Sequence, residues 1–184
     1  MAAVVSRSSL LSHIQAMSAL ADFSTQRLAA EKLAPRHLAE LTALHLDPEV
    51  GRFVGGVRSP GATADYLARN LAHWTAHGFG LWVFRTSDGR FVGRAGIRHL
   101  VLEGAPEVEI LYALRPETWG QGLATEISAS LVRIWRTYLS IPSLVGVACV
   151  DHVASRRVLE KTGFSYERAA FDYGDEVAVY RLRR

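Results

Sequence analysis

The feature that most constrains the fold is a strand that passes into a helix through a loop with two glycines. An apolar run from Val108 to Leu114, between Pro106 and Pro116, has the length of a buried strand. Apolar residues three or four apart then predict a helix: Leu123, Ile127, Leu131, Ile134 and Trp135. The loop from Trp119 to Ala124 therefore presents free backbone N–H groups at the positive end of a helix dipole. That arrangement is typical of a phosphate or pyrophosphate site, although a turn that only caps the helix has the same pattern.

The loop does not identify its ligand. Thr125 stands where a dinucleotide-binding G-x-G-x-x-G motif has its third glycine. The lysine of a P-loop does not follow the glycines either. A pyrophosphate-bearing ligand is the most that this spacing predicts.

Composition and charge exclude some classes of protein. With 184 residues, nearly half of them apolar, the chain is predicted to form one globular domain. The net charge of +3 comes from scattered basic residues, which argues against an RNA-binding module and suits an anionic cofactor. The single cysteine, Cys149, excludes an internal disulfide and fits a reducing cytoplasm. We predict that it is a small buried core residue rather than a catalytic thiol.

The N-terminus is predicted to be an extension, residues 1–22, that is helical or disordered and precedes a single domain over residues 23–184. The apolar stretch from Leu10 to Ala21 resembles a signal peptide. However, His13 and Gln15 interrupt it, and Arg7 is the only positively charged side chain before it. Met17 is an alternative start. No run approaches the ~18 apolar residues of a membrane helix. We therefore expect a cytoplasmic protein that does not bind a membrane.

The remaining elements follow from periodicity and from turn residues. They are predicted in the following order: a strand at 25–33, a helix from Pro35 to His45, a short helix through Phe53, a helix capped by Thr63 and ending near Gly78, a hairpin of 79–85 and 91–102, the Val108 strand and its helix, a strand at 143–150, a helix at 153–161 closed by Gly163, and a hairpin of 164–170 and 176–182. This order predicts a mixed α+β sheet with one crossover around the glycine loop. Gly93 and Gly96 indicate a bulge or a close approach of another backbone.

Several segments, taken in order, carry a family resemblance. They are Thr25 to Leu28, Asp47 to Val50, Gly78 to Trp82, Phe91 to Gly93, Glu109 to Tyr112, Trp119 to Glu126 and Ala154 to Phe164. The sequence resembles the GNAT superfamily of acyl-CoA-dependent N-acetyltransferases, most closely its RimJ/RimL-like branch. The resemblance implies a mixed, mostly antiparallel central sheet of about seven strands, flanked by helices on both faces.

The resemblance also implies the reaction. An amine attacks the acetyl group of acetyl-CoA directly, in a ternary complex, and no metal is needed. The acceptor is a protein N-terminal α-amine or a small amine, and dimers are common in the resembled branch. Two alternatives stay open: transfer of another acyl group such as succinyl, and a non-catalytic CoA-binding or sensing module.

The same resemblance implies a set of cofactor-binding residues. Loop amides hold the pyrophosphate, and the Val108 strand parts from the strand at 143–150 so that its backbone pairs with the pantetheine arm. The implied set is Tyr112, Ala113, Leu114, Thr118, Trp119, Gly120, Gln121, Gly122, Leu123, Ala124, His152 and Ser155. The family's usual asparagine matches His152, for which we favour a structural or capping role over that of an acid.

The catalytic residues implied are Glu109 and Ser155. Because an alkylamine is almost wholly protonated at pH 7, a base is useful, and Glu109 lies beside the expected gap, acting directly or through a water. The alternative is that it is only a salt-bridged strand residue. Glu107 is a weaker substitute on the same face, and Glu126 is expected to face solvent.

The leaving thiolate needs a proton or a hydrogen bond. The family's usual tyrosine matches Leu159, which can supply neither, whereas Ser155 matches the serine of the RimL-like branch. The alternative for Ser155 is a hydrogen bond near its helix start. Leu111 replaces a common glycine and leaves the acceptor fit open. Trp74, Trp82 and Trp135 are expected in the core, and so is Phe53 unless it covers the acceptor with the loop 55–61.

Overall fold

The computed structural model describes residues 21–172 and 174–184, so the expectation for the N-terminal extension lies outside the described residues except at Ala21 and Asp22. Eight strands form one sheet: β1 (Phe23–Ser24), β2 (Leu28–Lys32), β3 (Leu81–Thr86), β4 (Phe91–Leu102), β5 (Ala105–Leu114), β6 (Ser143–Cys149), β7 (Ser165–Asp172) and β8 (Asp175–Arg183). Their order in space is β1-β2-β3-β4-β5-β6-β8-β7. Only the β5–β6 pair is parallel among these strands. The predicted mixed, mostly antiparallel sheet is confirmed, with the two-residue β1 as an addition.

In the described part of the chain, five α-helices connect the strands: α1 (Leu38–Leu46), α2 (Pro48–Gly51), α3 (Pro60–His77), α4 (Leu123–Tyr138) and α5 (Val153–Lys161). The predicted cap of α3 is wrong. Ser59 caps the helix through its hydroxyl, which accepts from the Ala62 amide, because Pro60 is suited to the first helical position. Thr63 instead turns inward, with its hydroxyl 3.1 Å from Nδ1 of His45. No described helix is both long and apolar enough to span a bilayer.

The helices cover both faces of the sheet, as expected. Successive side chains of a strand point to opposite faces. On β5, Ala113 packs with Leu44 of α1 and Val50 of α2, whereas the neighbouring Tyr112 hydrogen-bonds Ser155 of α5. We call these the α1 face and the α5 face.

The centre of the sheet is packed too closely for side chains at two positions. A β carbon at Gly93 would lie 2.3 Å from the Ala113 carbonyl oxygen, and one at Gly96 would lie 2.2 Å from that of Gly80. The predicted close approach of another backbone is therefore confirmed. Trp74, Trp82 and Trp135 are buried, as expected.

A histidine cluster covers the open edge of β4. Nδ1 of His73 lies 2.9 Å from the Phe79 carbonyl, and Nε2 accepts from the His99 amide at 3.0 Å. Burial lowers the pKa of His73 to about 4 and also lowers that of His99. Ligand atoms of His73, His77 and His99 lie within 4.8 Å of one another, close enough to hold a metal ion. Both ring nitrogens of His73 already bond the backbone, at Phe79 and His99. These bonds to the strand edge explain the position of His73 without a metal ion.

Candidate active site

The parallel pair at the centre of the sheet opens into a gap. β5 and β6 are paired only at Glu109 with Val145 and at Ile110 with Gly146. Beyond that point β5 continues to Leu114 and is paired with β4 alone. The backbone of Leu111 to Ala113 thus presents an edge toward β6 that no strand pairs with, as the predicted parting of these strands requires. The Leu114 carbonyl accepts from Nε1 of Trp119 at 2.8 Å.

The glycine loop has a set of free amides. Gly120 and Gly122 adopt positive φ angles of 74° and 75°, a region that L side chains rarely occupy. Among the described residues, the amides from Gly120 to Thr125 have no hydrogen-bond partner. The amides of Thr118 and Trp119 do not belong to these free amides, because they donate to the carbonyls of Arg115 and Pro116.

An ion pair fixes this loop to the edge of the sheet. Arg27 donates from Nε to Glu126 at 2.6 Å and from Nη1 to the Gln121 carbonyl at 2.9 Å. The Thr25 hydroxyl donates to the same carboxylate at 2.5 Å. Burial raises the pKa of Glu126, but the bonds from Thr25 and Arg27 outweigh it and bring the pKa below its ordinary value. The expectation that Glu126 faces solvent is therefore wrong: it holds the loop in place.

A cavity of about 550 Å³ lies between the loop and the parted strands. Glu109, Ser155 and all the implied cofactor-binding residues line it except Gln121. Gln121 uses its side-chain amide to bond the Glu117 carbonyl. A volume of this size is typical of a small-molecule site. The predicted site residues come from three separate segments, 109–114, 118–124 and 152–155, and among them only Gln121 does not line the cavity.

Glu109 lies on the α1 face beside the gap. Its side chain is about nine-tenths buried, and Oε1 accepts from Nε of Arg98 at 2.7 Å. Glu107 points to the same face, but both its oxygens accept from Arg181 at 2.6 and 3.0 Å, and it does not line the cavity. Glu109 is therefore the better placed of the two carboxylates.

Ser155 lies on the α5 face, across β5 from Glu109. Its hydroxyl is 2.9 Å from the Tyr112 hydroxyl, which also donates to the Ser155 carbonyl at 3.1 Å. Burial raises the pKa of Tyr112 to about 12, although the Ser155 bond offsets part of the effect. The phenol is therefore protonated at neutral pH. From the sequence, only the backbone of Tyr112 was predicted to bind the cofactor, and the role of its side chain was missed. Because Leu111 and Ala113 point to the α1 face, alternation along the strand already places the Tyr112 side chain on the α5 face.

His152 and Phe53 close one side of the cavity together. Their rings stack, with centroids 3.8 Å apart and planes 10° apart. His152 precedes α5, but its side chain makes no capping hydrogen bond. Burial and the charge of Arg52 lower the pKa of His152, which disfavours the imidazolium that an acid would need. Phe53 thus lies over the cavity and not in the core, which was the exception expected for this residue.

Two further residues differ from expectation or bear on it. Cys149 is half-buried and lines the cavity, so the prediction of a small buried core residue is wrong. Burial raises the pKa of its thiol, with the nearby Asp175 contributing, which makes a reactive thiolate unfavourable. Leu111 lines the cavity on the α1 face, two residues beyond Glu109.

Comparison with known proteins gives consistent results. The family model described as an acetyltransferase (GNAT) domain matches residues 27–165. The chain is 28% identical to the FsC-acetyl coenzyme A-N(2)-transacetylase of Aspergillus fumigatus, over 82% of this chain and 68% of that protein. It resembles the acetyltransferase of Agrobacterium tumefaciens with a TM-score of 0.78 and 24% identity, covering 89% and 94% of the two chains. It also resembles RimL, a ribosomal L7/L12 α-N-protein acetyltransferase in complex with coenzyme A, with a TM-score of 0.71 and 17% identity, over 86% and 95%. At these identities the two solved structures establish a shared fold.

Proposed function

The chain belongs to the GNAT acetyltransferase family, and we propose that it moves the acetyl group of acetyl-CoA to a primary amine, either a protein N-terminal α-amine or a small amine. The family and the named transacetylase relative make it an acetyl-CoA-dependent N-acetyltransferase. The single observation that carries the roles proposed below is the gap between β5 and β6, which opens beside free loop amides. The lone cysteine agrees with the cytoplasmic location that we propose.

The residues present fit coenzyme A. The unbonded amides from Gly120 to Thr125, at the N-terminus of α4, suit the pyrophosphate. The unpaired edge of β5 after Ile110 suits the amides of the pantetheine arm. When bound, acetyl-CoA supplies an activated acyl group and a thiol leaving group.

We propose that Glu109 removes the proton of the attacking amine, directly or through a water. It is placed for this because it lies one residue before Ile110, the last residue of β5 that pairs with β6. Its bond from Arg98 fixes the carboxylate at this position. A positioned base of this kind contributes roughly 10²–10⁴-fold to a proton-transfer step.

On the opposite side of β5, we propose that the Tyr112–Ser155 pair donates a hydrogen bond or a proton to the leaving thiolate. The two hydroxyls share one hydrogen bond, so when Ser155 donates to Tyr112 the phenol proton can move from the Ser155 carbonyl to the thiolate. Leu159, one helical turn after Ser155, is buried and leaves this role to the pair. The phenol of Tyr112, supplied from the strand, thus stands in for the tyrosine that α5 lacks.

The function is tested by acetyl-CoA turnover with a panel of small amines, amino acids and N-terminal peptides. We expect amine-dependent thiol release, with the acetylated amine identified by mass spectrometry. Acetyl-CoA and succinyl-CoA are compared with the best acceptor, and we expect acetyl-CoA to be preferred. Tight binding of coenzyme A without turnover of any acceptor would instead favour a binding or sensing module.

Tyr112→Phe and Ser155→Ala are each expected to lower kcat by about 10- to 100-fold, the effect of one hydrogen bond to a developing charge. Because the two hydroxyls act as a unit, the double variant is expected to lose about as much as the worse single variant. The measurement is a double-mutant cycle on kcat, with the Kd for coenzyme A unchanged. Ser128→Ala is the control, since this buried serine bonds Thr162 instead. Multiplicative losses would contradict a shared role.

A further inference from the structure

Three arginines surround one buried tyrosine on the α1 face of the cavity. The guanidinium carbons of Arg94, Arg58 and Arg98 lie 5.2, 5.4 and 5.7 Å from the ring centroid of Tyr66. All four residues line the cavity that contains Glu109. Arg94 and Glu109 point to the same side of the sheet, since Arg94 pairs with Ala113 and Arg98 with Glu109 across β4 and β5. The cluster therefore belongs to the acceptor side of the gap, not to the glycine loop.

Arg94 is buried and lacks a hydrogen-bond partner. The residue is 4% exposed, and its guanidinium makes no hydrogen bond or ion pair with any described residue. Burial is the largest effect on the pKa of Arg94 and lowers it. Tyr66 raises this pKa, the charges of Arg98 and Arg58 lower it, and Glu109 makes the smallest contribution, which raises it. Burying a charge without a partner costs free energy, so a site that keeps such a charge normally binds a ligand of opposite charge there.

Other polar atoms of the cluster lack partners as well. Buried atoms without a hydrogen bond include Nη1 of Arg58, Oη of Tyr66 and Nε2 of His45, which packs edge-on against Tyr66. Burial, with Arg94 and Arg58, lowers the pKa of His45 to about 3, so the ring is neutral and can accept or donate without adding charge. Each of these atoms is a hydrogen-bond donor or can become one, and all of them lie around Tyr66.

Among the described residues, a carboxylate pairs with only one of the three arginines of this cluster. Glu109 is bonded to Arg98. Asp172 and Asp175 also line the cavity near Cys149, whose thiol they affect, and Asp172 lines a second cavity together with Arg98 and Glu109. Arg94 and Arg58 have no carboxylate partner among the described residues. A fixed positive charge next to the proposed base therefore remains to be matched by a ligand.

We propose that the acceptor amine carries a carboxylate, which Arg94 and Arg58 bind while Glu109 receives the amine. The acceptor is thus an amino acid or a peptide whose first residues are acidic, since either presents an amine and a carboxylate together. This inference rests on the proposed function, because it names the acceptor of the same site. A guanidinium is suited to a carboxylate because it donates two parallel hydrogen bonds.

The test compares matched acceptors in the turnover assay: glycine with glycinamide, β-alanine with β-alaninamide, and an aspartyl with an asparaginyl N-terminal peptide. At least one carboxylate member is expected to exceed its amide by about 10- to 100-fold in kcat/KM, and the pair that responds separates free amino acids from peptides. Arg94→Met and Arg58→Met are expected to bring that ratio toward one by raising KM, while KM for acetyl-CoA is unchanged. Arg90→Met, at a side chain that is 79% exposed, is the control. Equal turnover of every pair, or an unchanged ratio in Arg94→Met, overturns the proposal.

A binding measurement separates this proposal from the function itself. Succinate, but not succinamide, is expected to raise the Tm of the protein, and Arg94→Met is expected to remove the shift. If succinate stabilises the protein but no amine is ever acetylated, the carboxylate site stands and the acetyl transfer fails. If amines are acetylated without a carboxylate preference and succinate has no effect, the transfer stands and the carboxylate site fails.

Discussion

Glu109→Gln is expected to lower kcat/KM for an alkylamine acceptor by about 10²–10⁴-fold at pH 7, because the amide cannot take the proton of the attacking amine. The glutamine carbonyl can still accept from Arg98, so the local structure and the Kd for coenzyme A are expected to persist. The assay is acetyl-CoA turnover over a range of pH. Since an alkylamine has a pKa of ~10.4, the deficit is expected to shrink as the pH approaches that value and the amine loses its proton without help.

Glu107→Gln is the matched control for this prediction. It removes a carboxylate from the same strand and the same face, but the carboxylate bonds Arg181 outside the cavity. We expect this variant to be less stable and to keep the rate and pH profile of the original protein. If Glu109→Gln retains the original rate at every pH, or if both variants lose rate equally, Glu109 is not the base.

Gly96→Ala is expected to have the largest effect on folding. The new β carbon would lie 2.2 Å from the Gly80 carbonyl oxygen and 2.6 Å from Cα of Leu81. Both are backbone atoms, so β3 and β4 must separate for the methyl group to fit. We expect a loss of about 3 kcal/mol in the free energy of unfolding, the upper end of what overpacking costs, measured by urea denaturation.

Gly61→Ala supplies the comparison within one chain. Gly61 lies in the first turn of α3, where the nearest atom to a new β carbon is Oγ of Ser59 at 4.0 Å. Alanine is the better helix former by about 0.5–1 kcal/mol, so this variant is expected to be as stable as the original or slightly more stable. A Gly96→Ala protein that unfolds at the same urea concentration as the original would contradict the close packing of the two strands.

Local patterns predicted most of the fold because apolar periodicity and turn residues specify each element separately. The hairpin across Ser87 to Arg90 and the end of α5 at Gly163 are examples. The two-residue β1 was missed because a pair of residues has no period, and its pairing with Ala29 and Ala30 is set by the sheet. The α3 cap was misplaced because Thr63 has the right chemistry, while its contact with His45 depends on the fold.

Within the site, the sequence predicted best what lies in one continuous motif. The glycine loop, Glu109 and Ser155 could be located because their segments match a family in order. Tyr112, Arg94 and Glu126 depend on partners far away in the chain, which no local pattern specifies. Arg94 did leave one signal: an arginine within the apolar stretch of a central strand, between two glycines that admit close neighbours.

The separation of Glu109 and Ser155 onto opposite faces of β5 has a consequence for how such an enzyme can diversify. In the proposed reaction the amine is received on the α1 face, which is covered by α1, α3 and the segments between them, whereas the loop amides and the hydroxyl pair depend on α4, α5 and Tyr112 of β5. Insertions or exchanges in the first group can therefore recruit new acceptors while the second group continues to handle the same donor. β5 thus separates the proposed acceptor side of the site from the proposed donor side.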